Sequence, residues 1–125
     1  MTALDTSTLV AYLAGDSAPD TDAADTAIAH KAAVLPPVVL AELLSVPGLE
    51  RSVRDTLLEL PLLDVLDGYW ARAGLLRARV RARGFKARLA DSLIAQSCLD
   101  HHVGLITRDR DFRHFAKHGG LTLSP

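Results

Sequence analysis

The chain has 125 residues, 49% of them hydrophobic, and a formal net charge of −1, which is the profile of one globular domain, 1–125, of ordinary size. Its single cysteine, Cys98, excludes a disulfide framework, and no apolar run reaches the ~18 residues that a membrane span requires. Met1 leads directly into a structured pattern with no basic-then-apolar leader, so the expectation is a soluble, cytoplasmic protein.

In chain order, residues 1–5 read as a short strand ending at an acid. Residues 6–14 follow as a helix, with Leu9, Val10 and Leu13 on one side and Gly15 as its stop. The polar stretch 15–26 is a loop running into a helix at 20–31, whose opening acids suit the positive helix N-terminus. Residues 33–35 form a brief strand. Pro36 and Pro37 then open a helix that extends to Val46, since proline is tolerated in a first turn, and Pro47-Gly48 ends it. A helix at 49–60, closed by Pro61, precedes a strand at 62–66. A long helix at 68–83 is stopped by Gly84, and a further helix covers 89–102. The tail holds a strand at 104–107, a helical turn at 111–117 and a last strand at 121–123.

Strands alternating with helices predict parallel pairing in an α/β sandwich. Sites in such sheets form beyond the carboxyl ends of the strands. Asp5 ends the first strand, and Asp109 follows the 104–107 strand by two residues.

Charge is segregated. Residues 1–71 hold 3 basic against 11 acidic residues, a balance of −8, and residues 72–125 hold 11 against 4, a balance of +7. Half of the basic residues lie within 72–88, which contains no acid. Such a block is either a phosphate-binding footprint or a solvated helix surface. Within it, Tyr69, Ala73, Leu76 and Val80 make an apolar stripe, edged by Arg72, Arg79 and Arg83 on one side and Arg77 and Arg81 on the other. Long arginine stems also cover apolar margins, so the edges have two readings.

Four acids sit where a solvated surface does not explain them. Glu42 has Val38, Val39, Ser45 and Val46 as helical neighbours, and an unpaired carboxylate on an apolar face is costly. Asp91 faces Ala95 and Cys98, although a first-turn acid also satisfies the helix dipole. Asp5 has the alternative role of N-cap, and Asp109, like its neighbour Asp111 in ITRDRDF, that of turn former. Together they point to one shared site. Two carboxylates ~4 Å apart repel by about 4 kcal/mol at an effective dielectric of ~20, so a cluster of them calls for a cation. All-oxygen ligands select Mg²⁺ or Mn²⁺, whereas zinc would call for histidine or cysteine. The eight glycines supply neither G-x-G-x-x-G nor G-x-x-x-x-G-K-[ST], and no G-x-S-x-G occurs.

The segments LDTSTLVAYL, LAELL and RLADSLIAQSCLDHHVGLITRDRDF resemble, in order and spacing, the PIN domain, and within it the VapC-type toxins of bacterial toxin–antitoxin pairs. The last segment is the most specific, with an acid opening a helix, then a strand, then Thr-x-Asp-x-Asp-Phe; residues 49–84 carry no motif. The resemblance implies a PIN-like three-layer sandwich, a central parallel sheet of about five strands flanked by helices. It implies a metal-dependent endoribonuclease, dimeric and neutralised by a cognate antitoxin. Asp5, Glu42 and Asp91 match the first three acids. Asp109 is preferred as the fourth, with Asp111 in support, and Thr107 is a candidate hydrogen-bond donor to a ligand. The expected cofactor is Mg²⁺ or Mn²⁺, held by Asp5, Asp91 and Asp109, with Glu42 acting directly or through water. Arg88 and Arg108 are the preferred phosphate contacts. The other readings are a PIN-like nuclease of RNA processing that is not a toxin, and a catalytically silent module that uses an acidic pocket for binding.

Overall fold

The computed structural model describes residues 1–124. Three short strands, β1 (Thr2–Leu4), β2 (Ala33–Val34) and β3 (Gly104–Ile106), pair in parallel in the order β2-β1-β3. The register places Ala3 against both Val34 and Leu105. Apart from Thr2 and Gly104 at the strand starts, these residues are apolar and buried, as expected of a parallel sheet covered on both faces. Single parallel bridges, Leu35 to Leu62 and Leu105 to Leu123, add one chain segment at each edge.

The expectation of about five strands therefore resolves into three regular strands and two one-residue bridges. The predicted strand at 62–66 contributes only its first residue to a ladder. Beyond Leu63 the side chains are exposed and the carbonyls turn elsewhere, Asp64 O to the His101 imidazole and Leu66 O to the Tyr69 amide. With no strand beyond it, this segment has nothing to hold it extended.

The helices are α1 (Thr6–Leu13), α2 (Pro19–Ala29), α3 (Pro37–Leu44), α4 (Arg51–Glu59), α5 (Tyr69–Ala82), α6 (Leu89–His101) and α7 (Phe112–Gly119). The last is a full helix where a single turn was predicted. It ends at Gly120, whose φ of +83° favours glycine, and a Cβ at Gly119 would meet Leu76 Cδ1 at 2.6 Å, so that side chain would have to shift. The α5 stripe Tyr69, Ala73, Leu76 and Val80 is buried as the sequence spacing requires.

Helix α6 is central, with Ser92, Ile94, Ala95, Gln96, Ser97 and Cys98 all buried. It packs against α3, α5, α7 and β3. Its buried positions include Ser92, Gln96 and Ser97 as well as apolar residues, so the helix is held inside by packing on several sides. That placement carries its first-turn acid, Asp91, to the edge of the core. Burial pushes the Cys98 thiol up to about 12, with the Asp5 charge adding to the effect, so it is an inert packing group.

Arg72 does not remain a free edge cation. Its Nε and Nη2 bond both oxygens of Asp100, at 2.9 and 2.7 Å, and Nη1 reaches Asp67 O. The Asp100 side chain is 7% exposed, and the guanidinium holds its carboxyl below the usual range. Arg72→Ala leaves that carboxylate without its main partner and should cost about 1–2 kcal/mol in urea unfolding. A change below a few tenths would contradict the pairing.

Candidate active site

The sheet's topology brings its carboxyl ends to one edge. Asp5 follows β1 directly, and its amide donates to Ile106 O at 3.0 Å, locking the end of β1 to the end of β3. Asp5 stands at the N-cap of α1 yet makes no side-chain cap bond. Instead its Oδ2 accepts from Ser7 Oγ and from Thr107 Oγ1, each at 2.7 Å. The Thr107 hydroxyl in turn accepts the Asp109 amide at 3.0 Å, and Asp109 Oδ1 accepts the Asp111 amide at 2.9 Å. One threonine thus sets the angle of Asp5 and the path of the loop carrying Asp109 and Asp111. Asp5 is only 4% exposed, so these two hydroxyl donors compensate much of its desolvation.

Asp91 lies across from this loop. It is 9% exposed, and its Oδ2 is buried with no hydrogen-bond partner among the described residues. Native proteins rarely leave such an atom unsatisfied. One carboxylate oxygen each from Asp91, Asp109 and Asp111 lie within 4.8 Å of one another. Burial, then the charges of Asp109 and Asp5, and more weakly that of Glu42, push the Asp91 carboxyl up to about 6, while Arg88 opposes them. The geometry thus draws in both Asp109 and Asp111, and Asp5 and Glu42 are felt as charges around this trio.

Glu42 differs from its sequence expectation. It is exposed on α3, not set against a buried apolar face. Of its helical neighbours only Val39 is buried, together with Leu43 on the core side of α3; Val38 is half-buried, Ser45 is exposed and Val46 is 46% exposed. Thr6 Oγ1 donates to Glu42 Oε1 at 2.8 Å, tying α3 to the start of α1. The sequence reading gave Thr6 and Ser7 no role as donors to site carboxylates. The Asp-x-Ser spacing at 5–7 was the available signal.

Of the two candidate phosphate contacts, Arg88 is the exposed N-cap residue of α6, and its charge acts on Asp91. Arg108 points away. Its guanidinium is clamped by Asp16 at 2.9 Å and by both oxygens of Asp20 at 2.8 and 2.9 Å. This clamp, with the Thr8 hydroxyl, lowers Asp20 to about 2. Arg108 therefore fastens the loop before α2.

Asp5 and Asp91 are buried, and Asp109 and Asp111 are half-buried. A cavity of about 500 Å³ lies elsewhere, between Thr2, Thr26, His30 and Ser124. A smaller one of about 260 Å³ is walled by Thr107, Asp109, Arg110 and Arg113. Arg110 and Arg113 thus set basic side chains beside Asp109. Among the described residues no helix is long and apolar enough to cross a membrane.

Residues 2–118 match the model of the family described as the PIN domain. No curated protein matches the chain. Solved structures share its fold over nearly the whole length. FitAcB from Neisseria gonorrhoeae has a TM-score of 0.72 at 21% identity, covering 100% of this chain and 97% of that one. VapBC2 from Rickettsia felis, bound to a DNA fragment from their promoter, gives 0.72 at 18%, covering 98% and 96%. FitAB bound to the IR36 DNA fragment gives 0.73 at 17%, covering 99% and 94%. At these identities the likeness concerns the fold. The family match spans nearly the entire chain, and on that ground the protein belongs to the PIN-domain family.

Proposed function

We propose that the chain is a divalent-metal-dependent endoribonuclease, the toxin of a toxin–antitoxin pair, acting in the cytoplasm on RNA phosphodiesters. The observation that carries this reading is Asp91 Oδ2, a buried oxygen without a donor, close to Asp109 and Asp111 and in the field of Asp5 and Glu42. Such an atom needs a proton or a cation. The donor set is all carboxylate oxygen, which fits Mg²⁺ or Mn²⁺. Asp91, Asp109 and Asp111 would hold the ion, with Asp5 and Glu42 completing the acidic rim. When bound, such an ion supplies an activated water and neutralises charge building on the phosphate.

The chain's own residues supply orientation. Ser7 and Thr107 hold Asp5 in one rotamer, and Thr107 couples it to the Asp109 loop. Glu42, exposed and steadied by Thr6, would take a proton from the attacking water. In-line attack would leave a 5′-phosphate and a 3′-hydroxyl. The expected result is fragmentation of cellular RNA by the purified chain with Mg²⁺ or Mn²⁺. Fragmentation that survives a chelator would contradict the reading.

Arg88 is the proposed phosphate contact. Arg88→Glu should weaken RNA binding and reduce the slope of log K against log salt by about 1, and Arg108→Ala should leave the slope unchanged. Equal slopes for Arg88→Glu and the parent chain would remove Arg88 from that role.

Two surfaces support the partners. Val10, Leu13, Leu43, Val46 and Val53 line an apolar groove of about 320 Å³ between α1, α3 and α4, suited to apolar side chains of a cognate antitoxin. The outer side of α5 exposes Trp70 (66%) and Leu75 (67%) beside Ala71, Gly74 and Ala78, a face suited to a second copy of the chain in a homodimer.

A further inference from the structure

Helices α5 and α6 are joined by residues 83–88, which carry Arg83, Lys86 and Arg88 and no acid. Phe85 lies in this connection and is 38% exposed. It is not loose. Its ring stacks on the His114 imidazole with centroids 4.3 Å apart and planes at 15°, and on His118 at 5.3 Å and 23°. His114 and His118 lie one turn apart on α7, and both rings stack on Phe85. Burial, then Arg83, Lys117 and His114, holds the His118 imidazole below its ordinary pKa. It therefore packs as a neutral ring near pH 7.

Cations surround the stack. Arg83 and Lys86 flank Phe85 on its own segment, and Arg113 and Lys117 are exposed on α7. Among the described residues, none of these four is in an ion pair, unlike Arg72 and Arg108.

Both segments lead into the acid site. Asp91 follows Phe85 by six residues through the N-cap of α6. Asp111 precedes His114 by one turn, and the His114 amide donates to its carbonyl at 3.2 Å. One turn is a rise of about 5 Å, so His114 follows Asp111 along α7 at about that distance.

We propose that Phe85, backed by His114 and His118, is a stacking platform for an unpaired base adjacent to the phosphate held at the acids. The inference rests on the nuclease reading and specifies its substrate as single-stranded at that nucleotide. An exposed aromatic ring with free cations on both sides is the general equipment for single strands, because every base offers a π-face and every nucleotide a phosphate. A base inside a duplex is already stacked and presents no face to Phe85.

The test compares Phe85→Ala, Phe85→Trp and His114→Ala with the parent chain, reading affinity by fluorescence anisotropy. The probes are a 12-nucleotide single-stranded RNA and a 12-base-pair RNA duplex in a chelating buffer. Phe85→Ala should weaken single-strand binding about tenfold and leave duplex binding and the salt slope in place. Phe85→Trp should preserve it, and His114→Ala should weaken it to a lesser extent. With metal restored, Phe85→Ala should raise KM and spare kcat. Single-strand affinity unchanged in Phe85→Ala, equal losses on both probes, or no binding by the parent chain would each overturn the platform. The chelated measurement needs no turnover, so a chain that binds by Phe85 and never cleaves would refute the nuclease reading alone. A chain that cleaves independently of Phe85 would refute the platform alone.

Discussion

Asp91→Asn should abolish metal-dependent activity and at the same time make the metal-free protein more stable at neutral pH. The two effects have one cause. In the folded chain the Asp91 carboxyl is raised from the ordinary 3.8 to about 6, first by burial and then by Asp109 and Asp5. A raised carboxyl favours the fold in its protonated form. Its contribution is fully present below pH ~4 and is lost as pH rises through 6. At about 1.4 kcal/mol per pKa unit, the ionised group costs the metal-free fold about 3 kcal/mol at pH 7.5. Asparagine removes that charge, and its amide can donate to the neighbouring carboxylates. The metal-free variant should therefore melt several degrees above the parent at pH 7.5, with the difference vanishing towards pH 4. Mn²⁺ should raise the parent's melting temperature and not the variant's. Below pH 6 the parent's metal affinity should fall as protons compete for the same oxygen. A variant less stable than the parent at pH 7.5, or equally responsive to Mn²⁺, would show that Asp91 is not a strained member of a cation site.

Asp5→Asn should lower the cleavage rate by about 10²–10⁴-fold while leaving the melting temperature nearly unchanged. The asparagine carbonyl can still accept from Ser7 and Thr107, so the bonds joining α1 to the Asp109 loop survive. What disappears is a negative charge beside the acidic trio. Single-turnover cleavage of one labelled RNA, with circular dichroism as the folding control, makes the comparison. Full activity in a folded Asp5→Asn chain would remove Asp5 from the chemistry.

The architecture was legible wherever local chemistry dictated it. Helix punctuation by Gly15, Pro36-Pro37, Pro61 and Gly84 gave element limits within about two residues of those observed, and the α5 stripe was buried as its spacing required. The sheet edges were not legible. Residues 62–66 and 121–123 have strand-like apolar content, but a ladder depends on a neighbour that local sequence does not specify. Asp5 and the Asp109 loop could be placed because strand ends in a parallel sheet share one edge. The environment of Glu42 was misread because α3 is apolar on more than one side, and periodicity does not say which side meets the core. Arg108 illustrates a different limit. It adjoins Asp109 in sequence, yet its side chain is captured by Asp16 and Asp20, about 90 residues away along the chain. Thr6, Ser7 and Thr107 act through hydroxyl bonds between segments far apart in sequence, and only the folded chain brings those partners together.

The most direct test of the central claim is cleavage of total cellular RNA by the purified, partner-free chain. Parallel reactions would contain Mg²⁺ or Mn²⁺, a chelator, or the Asp5→Asn variant. The account predicts discrete RNA fragments in the metal-containing reaction and none in the other two. Intact RNA in every reaction, with the parent chain folded and Mn²⁺ shown to be bound, would contradict it and leave the acidic edge as a binding surface without chemistry.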